Sequence, residues 1–379
     1  MSFLIWALCL AGFGAVWVFT GSGWALALLI VSALALPLSA IPAALAAKRL
    51  RVTLSAPDTA GKGTRLALRL RVDNPTLLPF ARVRAEAHVR NKLTRETVSV
   101  PFLLAVPARS GAEAEAELLC EHCGALAITP GSITARDALG FLALRLTPFE
   151  PGETTVAPET FEIRLNLPLS ADSDLDADQY SPDRPGTDYA EVFQVRDYAE
   201  GDSPKQIHWK LSTKFDRLIS RDPGLPLDRR ALVLWERSRG GRDETPAETD
   251  AMAETAVTLC RELLRQAIGC RVVWNDDDGV SLFDLELREE ADLYSMLPKL
   301  LSAAQTGGET AVERFLQQFG PERCSRTVFI GAHVPPRLPE LGAGGLTSLL
   351  CSEDAPEAGR TWRFTPETAA EALQELDLY

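Results

Sequence analysis

Three short constellations carry residue types that could do chemistry. Cys120-Glu121-His122-Cys123 sets two thiols around an imidazole, and a Cys-x-x-Cys step can be half of a zinc site or a redox pair. A tetrahedral zinc site needs two further ligands, and His88, His208 and His333 show no paired spacing. A turn between two strands, with small buried thiols, is the stronger reading. Asp172, Asp174, Asp176 and Asp178 alternate like the start of a calcium loop. However, Ala177 stands where the sharp turn wants glycine, and Asp183 where the loop closes with glutamate. A solvated acidic linker accounts for them better. Gly61-Lys62-Gly63-Thr64 looks like part of a phosphate loop, but it lacks the upstream glycine and lies between β-patterned segments, so a turn is expected. No Gly-x-Ser-x-Gly, His-Glu-x-x-His or dinucleotide fingerprint occurs, so no enzyme class gains support.

The elements around these residues are set by charge and hydropathy. The chain has 379 residues, 39 basic and 52 acidic, for a net charge of −13. Residues 1–47 carry none of those charges, a segregation that suits a membrane anchor and not a soluble globule. A hydrophobic content of 46% excludes a wholly disordered chain. The acidic balance argues against nucleic acid as a partner, since phosphate binding wants a basic face. Phe3 to Thr20 and Trp24 to Ala47 are apolar and separated by Gly21-Ser22-Gly23. At 1.5 Å per residue they give about 27 and 36 Å, against a hydrocarbon core of about 30 Å. Two spanning helices are expected, with Pro37 and Pro42 kinking the second or ending its regular part, and with Trp24 at an interface. A cleaved signal peptide fits less well, because no basic segment precedes the apolar run. Lys48, Arg49 and Arg51 follow the second helix, so the positive-inside rule places both ends, and the remaining chain, in the cytoplasm. Seven cysteines without framework spacing fit thiols in a reducing compartment.

After this anchor (residues 1–50), the spacing predicts three regions. Residues 51–165 alternate apolar and polar positions, as in Thr64 to Asp73, Ala81 to Arg90 and Ala114 to Leu119, and predict a β-sandwich-like domain. Residues 166–228 lack a clear period and are expected to be an extended connector with a packed turn region. From 229 to 379 strands and helices alternate: strands at Ala231–Trp235, Arg271–Trp274, Val280–Leu285, Thr327–Ile330 and Ser348–Cys351, and helices at Asp250–Gln266, Glu289–Ala304, Ala311–Phe319 and Pro366–Leu376. That order predicts an open, doubly wound α/β sheet with one hairpin.

The stretch from Gly186 to Asp222, GTDYAEVFQVRDYAEGDSPKQIHWKLSTKFDRLISRD, resembles the signature of the domain-of-unknown-function 58 family of bacteria. The matching positions are Gly186, Glu191, Arg196, Tyr198, Gly201, Asp202, Ile207, His208, Trp209 and Lys210. The order of two membrane helices, a β-rich domain, this signature and a von Willebrand factor A-like domain also matches. The resemblance implies work beside MoxR-type AAA+ ATPases, in assembly or chaperone-like roles. Within the signature Arg196, Asp202, Trp209 and Lys210 stand out. Gly201-Asp202 is a natural turn, Asp202 can accept from backbone N–H groups or from Arg196, and Trp209 is a large apolar anchor with one donor. Clamping the two soluble domains together is the leading expectation for this cluster, ahead of partner binding.

The von Willebrand A resemblance further implies an Asp-x-Ser-x-Ser metal loop after the first strand, with a later Thr and Asp. Here Glu236-Arg237-Ser238-Arg239-Gly240 follows that strand, Thr310 could supply a hydroxyl, and Gly331-Ala332-His333 offers no carboxylate. Glu236, Ser238 and Thr310 are therefore the positions of a degenerate metal site, and neither a metal nor a cofactor is expected. Together these readings predict a membrane-anchored, non-enzymatic interaction or scaffold protein whose partners are the lipid bilayer and a protein. The alternatives are a metal-dependent adhesion or sensing module, and a zinc or redox protein acting through Cys120 and Cys123.

Overall fold

The computed structural model describes residues 2–137, 142–166, 180–199, 202–226, 231–237, 244–276, 281–305, 307–320, 326–353 and 356–378. The chain forms two compact units, Met1–Glu159 and Thr160–Tyr379.

The first unit opens with helices α1 (Ser2–Thr20) and α2 (Gly23–Ala47). They pack on each other, and the Trp6 indole N–H donates to the Ser32 carbonyl at 2.8 Å. Pro37 and Pro42 lie inside α2, which runs on past both to Ala47. By length and composition α2 is long and apolar enough to cross a membrane, whereas the apolar run of α1, Ile5–Thr20, is shorter. Where two spans were expected, a single helix passes this test among the described residues. Large apolar side chains on both helices face outward, among them Leu8, Phe19, Val31 and Leu38.

Among the described residues nine strands follow: β1 (Arg51–Ser55), β2 (Thr59–Gly61), β3 (Arg65–Asn74), β4 (Phe80–Asn91), β5 (Thr97–Val106), β6 (Ser110–Leu119), β7 (Gly124–Arg136), β8 (Ala143–Arg145) and β9 (Gly152–Ala157). They make a three-stranded sheet in the order β1-β3-β6, and a second in the order β2-β9-β7-β4-β5 with β8 added to β7. Alternation in the sequence becomes alternation in burial. Leu66, Leu68, Leu70 and Val72 of β3 point into one core with Val83, Ala85, Ala87 and Val89 of β4, while Arg65, Arg69 and Arg71 point out. The outward arginines meet Glu117, Glu115 and Glu113 across the β3–β6 pair. Ala46, Ala47 and Leu50 join the same core, so the end of α2 is built into the β-rich unit.

The second unit contains β10 (Arg164–Asn166), β11 (Tyr180–Asp197), α3 (Trp209–Phe215), β12 (Ile219–Pro226), β13 (Ala231–Trp235), α4 (Pro246–Arg265), β14 (Cys270–Asn275), β15 (Leu282–Leu287), α5 (Glu290–Leu300), α6 (Ala311–Phe319), β16 (Arg326–Gly331), β17 (Leu346–Leu350), β18 (Arg360–Arg363), α7 (Ala369–Ala372) and β19 (Glu375–Asp377). Its main sheet has the order β15-β14-β13-β16-β17-β18. All neighbours are parallel except the β14–β15 hairpin. Numbered within the sheet, this is the doubly wound order 3-2-1-4-5-6. β13 and β16 are buried at every position, as parallel strands covered on both faces must be. Leu232 and Leu234 pack with Val312 and Phe315 of α6. α4 lays Met252, Ala256, Leu259 and Leu263 into the interior. It starts at a capping box in which Thr245 and Glu248 satisfy each other's backbone N–H groups.

Three expectations are corrected. The region expected to be an extended connector with a packed turn region contains an antiparallel strand pair, β11 with β12, whose register shifts hide its period and whose connection carries α3. The expected helix over 366–376 shrinks to α7, and Glu375–Asp377 instead pairs in parallel with β10, more than 200 residues earlier. Arg360–Arg363, read as no element, forms the parallel edge strand β18.

Candidate functional site

In an open α/β sheet, ligands bind beyond the carboxyl ends of the strands, where the strand order reverses. Here that point lies between β13 and β16, and Glu236 and Arg237 are the residues leaving β13. The sheet geometry holds them: the Glu236 N–H donates to the Ile330 carbonyl at 2.8 Å, extending the parallel ladder. Glu236 is fully buried, and one carboxylate oxygen accepts from the Val312 N–H at 3.4 Å, at the positive end of α6. Thr310 caps that helix. Its hydroxyl accepts from the Glu313 N–H at 3.1 Å while Glu313 accepts from the Thr310 N–H at 2.9 Å. The hydroxyl read as a position of a degenerate metal site is thus a helix cap.

Arg237 is the residue that sequence reasoning passed over. Its side chain is 4% exposed, and its Nε and Nη2 donate to one oxygen of Glu244 at 3.2 and 3.1 Å. Nη2 also reaches the Thr249 hydroxyl at 3.4 Å, Nη1 donates to the Ala303 carbonyl, and Thr249 donates to Glu244 at 3.2 Å. A positive charge therefore already sits beside the switch point, tied to β13, to α4 and to the end of α5. Gly331 closes β16 tightly: a Cβ there would come within 2.8 Å of the Phe329 ring and 3.4 Å of Glu236 Cβ. His333 follows, and burial pushes its pKa below the ordinary imidazole value. Ser238 lies outside the described residues. Among the described residues no group of three or more His, Cys, Asp or Glu side chains could hold a metal ion.

The signature residues build a second cluster. Arg196, near the end of β11, grips Asp202 with both terminal nitrogens at 2.7 and 2.8 Å. Its Nε reaches Asp222 on β12 at 3.2 Å, and Gln194 donates to the other oxygen of Asp222 at 3.0 Å. Asp202 also accepts from the Ala199 N–H, and the Tyr198 hydroxyl donates to the Asp202 carbonyl. The Arg196 guanidinium, then that N–H, hold the Asp202 carboxyl below its usual pKa. A capping box between Ser203 and Gln206 follows, and His208 Nδ1 accepts from the Leu211 N–H to cap α3. Asp222 is the member that sequence reasoning missed, although it ends the quoted stretch. Trp209, expected to be an apolar anchor, is 65% exposed, and Lys210 is exposed beside it. Gly186 and Glu191 lie along β11, and Gly201 is outside the described residues, as are Asp172, Asp174, Asp176 and Asp178.

Cys120 and Cys123 are buried in the β6–β7 connection. Asn91 donates to the Cys123 carbonyl at 3.0 Å, the Gly63 N–H donates to the Cys120 carbonyl at 2.7 Å, and the Cys120 N–H donates to the Thr64 carbonyl at 3.0 Å. The cysteine step and the Gly61–Thr64 turn thus brace each other. Gly63 has φ +72°, which favours glycine there. Burial raises the Cys120 pKa and so favours the thiol over the thiolate that redox or metal work needs.

No protein family and no curated protein matches the chain. Among solved structures it is similar to the CARDB domain of a Pyrococcus furiosus protein in complex with di-metal ions (12% identity, 28% of this chain and 87% of that chain, TM-score 0.22). It is also similar to a cohesin module from a Clostridium perfringens family 33 glycoside hydrolase (8% identity, 29% and 98%, TM-score 0.23). A further likeness is to a β-glucosidase from Listeria innocua (10% identity, 28% and 16%, TM-score 0.21). Similarities of this size carry nothing about function.

Proposed function

We propose that the chain is a membrane-anchored interaction or scaffold protein and not an enzyme, with a von Willebrand factor A-like α/β sheet as its partner-facing part. The observation that supports this reading most is the state of the switch point. The acidic and hydroxyl groups that would serve a ligand there, Glu236, Glu244, Thr249 and Thr310, are engaged with Arg237 and with the start of α6. Among the described residues the second oxygen of Glu244 is buried without a hydrogen bond, so the contacts engage these groups in part, and in this reading they brace a rigid surface.

In this reading α1 and α2 form a two-span hairpin, and Lys48 and Arg49 hold the soluble units on the cytoplasmic side. The resemblance to the domain-of-unknown-function 58 family makes a MoxR-type AAA+ ATPase the partner to try first. The test is co-elution of the full chain, extracted in mild detergent, with such an ATPase, followed by affinity capture from the host membrane fraction. A stable complex is expected, and repeated recovery of no protein partner counts against the proposal. Calorimetric titration with Mg²⁺ and Mn²⁺ separates the metal-dependent alternative, which requires heat of binding where this reading expects a flat trace.

A further inference from the structure

The segment Ser203–Leu218 shows solvent an unusual combination of side chains. Trp209 is 65% exposed, Phe215 55% and Leu218 48%, although large apolar groups of this size normally seek cover. Lys205, Lys210, Lys214 and Arg217 are exposed among them, and Lys214 Nζ stands 5.8 Å from the centre of the Phe215 ring. Along α3 only Ser212 is buried, so the helix turns most of its circumference outward.

The display is fixed in place. The His208 N–H bonds the Ile219 carbonyl at 2.8 Å, the Ser212 hydroxyl accepts from the Ile219 N–H at 2.9 Å, and Asp216 closes the helix at φ 51°. Arg217 is paired with Asp197 at 2.9 Å, which leaves Lys205, Lys210 and Lys214 against the single carboxylate Asp216 within the segment, opposite in sign to the chain's overall charge of −13.

We propose that this segment is a second membrane-contact site, which seats Trp209, Phe215 and Leu218 at the headgroup level of an anionic bilayer while the lysines pair with lipid phosphates. Exposed aromatics interleaved with lysine are the composition of interfacial segments, since the rings prefer the polar–apolar boundary and the ammonium groups meet its negative potential. Charge complementarity selects the bilayer, and the proposal rests on the anchored reading above, because a chain held at the membrane by α2 meets that surface at high effective concentration.

The test uses the full chain reconstituted in vesicles of phosphatidylcholine alone or mixed with phosphatidylglycerol, with and without brominated acyl chains. The fluorescence of the wild type minus that of Trp209→Phe isolates the Trp209 signal, and the substitution touches no buried group. In phosphatidylglycerol vesicles that signal is expected to shift to the blue and be quenched by bromine. In the Lys205→Ala/Lys210→Ala/Lys214→Ala variant the quenching at the same phosphatidylglycerol content should fall, because the equilibrium between seated and free Trp209 weakens by about fivefold for each lysine removed. A Trp209 signal that stays water-like and unquenched in anionic vesicles overturns the proposal. Equal quenching in pure phosphatidylcholine, or a shift that needs an added acidic protein, overturns it as well. Flotation of the chain with phosphatidylcholine vesicles reports the anchor separately, so a failed anchor and a failed docking face give different results.

Discussion

Arg237 and Glu244 form a buried ion pair in the second unit. With side chains 4% and 3% exposed, they lie where an ion without its partner is costly. Arg237→Met, which leaves the Glu244 carboxylate buried, is expected to destabilise by about 3–5 kcal/mol. The double variant Arg237→Met/Glu244→Leu should recover most of that loss, and urea unfolding of the full chain in detergent checks both. Two titrations have opposite origins but the same sign. His333 is held neutral by burial, so its folded pKa lies below the unfolded value of about 6.5. The unfolded state then binds the extra proton, and stability falls as pH drops below about 6.5. His333→Gln removes that slope from a pH series of melting curves. Asp202 is held ionised by Arg196 and the Ala199 N–H, so its contribution is complete above the unfolded value of about 3.9 and is lost as pH falls through the lower folded pKa. Asp202→Asn should flatten that acid limb, and loss of the limb in Asp202→Ala alone would show that packing and not charge was responsible.

At the scale of elements, helices were legible in part and strand partners were not. The expected Ala311–Phe319 coincides with α6, whereas α4 starts at Pro246, four residues before the expected Asp250, because its capping box of Thr245 and Glu248 lies ahead of the apolar period. Thr310→Ala is expected to cost about 1 kcal/mol through the lost cap of α6, with Thr310→Ser close to wild type, as read by chemical denaturation. The alternation in β3 and β4 likewise foretold which side of each strand is buried. By contrast β19 exists because Leu165 and Leu376 are brought side by side and buried together, and nothing within residues 366–376 signals a partner that far back. The β11–β12 strand pair escaped notice because its register shifts break the two-residue period.

For the whole molecule, the charge-free opening and the structure agree on an apolar start that ends at Ala47, and the structure adds what that end packs into. Ala46, Ala47 and Leu50 belong to the core of the β-rich unit, so α2 is joined to that unit without a loose linker. Deleting residues 2–42 is expected to release the chain from carbonate-washed membranes, whereas deletion through Leu50 should also destabilise the β-rich unit; membrane fractionation and thermal melting distinguish the two. What the amino-acid sequence determined by itself was local or compositional: the uncharged apolar start, the alternating strands and the approximate course of the longer helices. These follow from hydropathy, period and side-chain chemistry within a few residues. What only the tertiary structure decided was burial and the pairing of separated segments: Arg237 and Glu244 buried together, Asp222 brought to Arg196 from 26 residues away, β10 beside β19, and Trp209 left in solvent. Burial and ion pairing depend on which distant segments the packed core brings together, and no window of sequence contains that information.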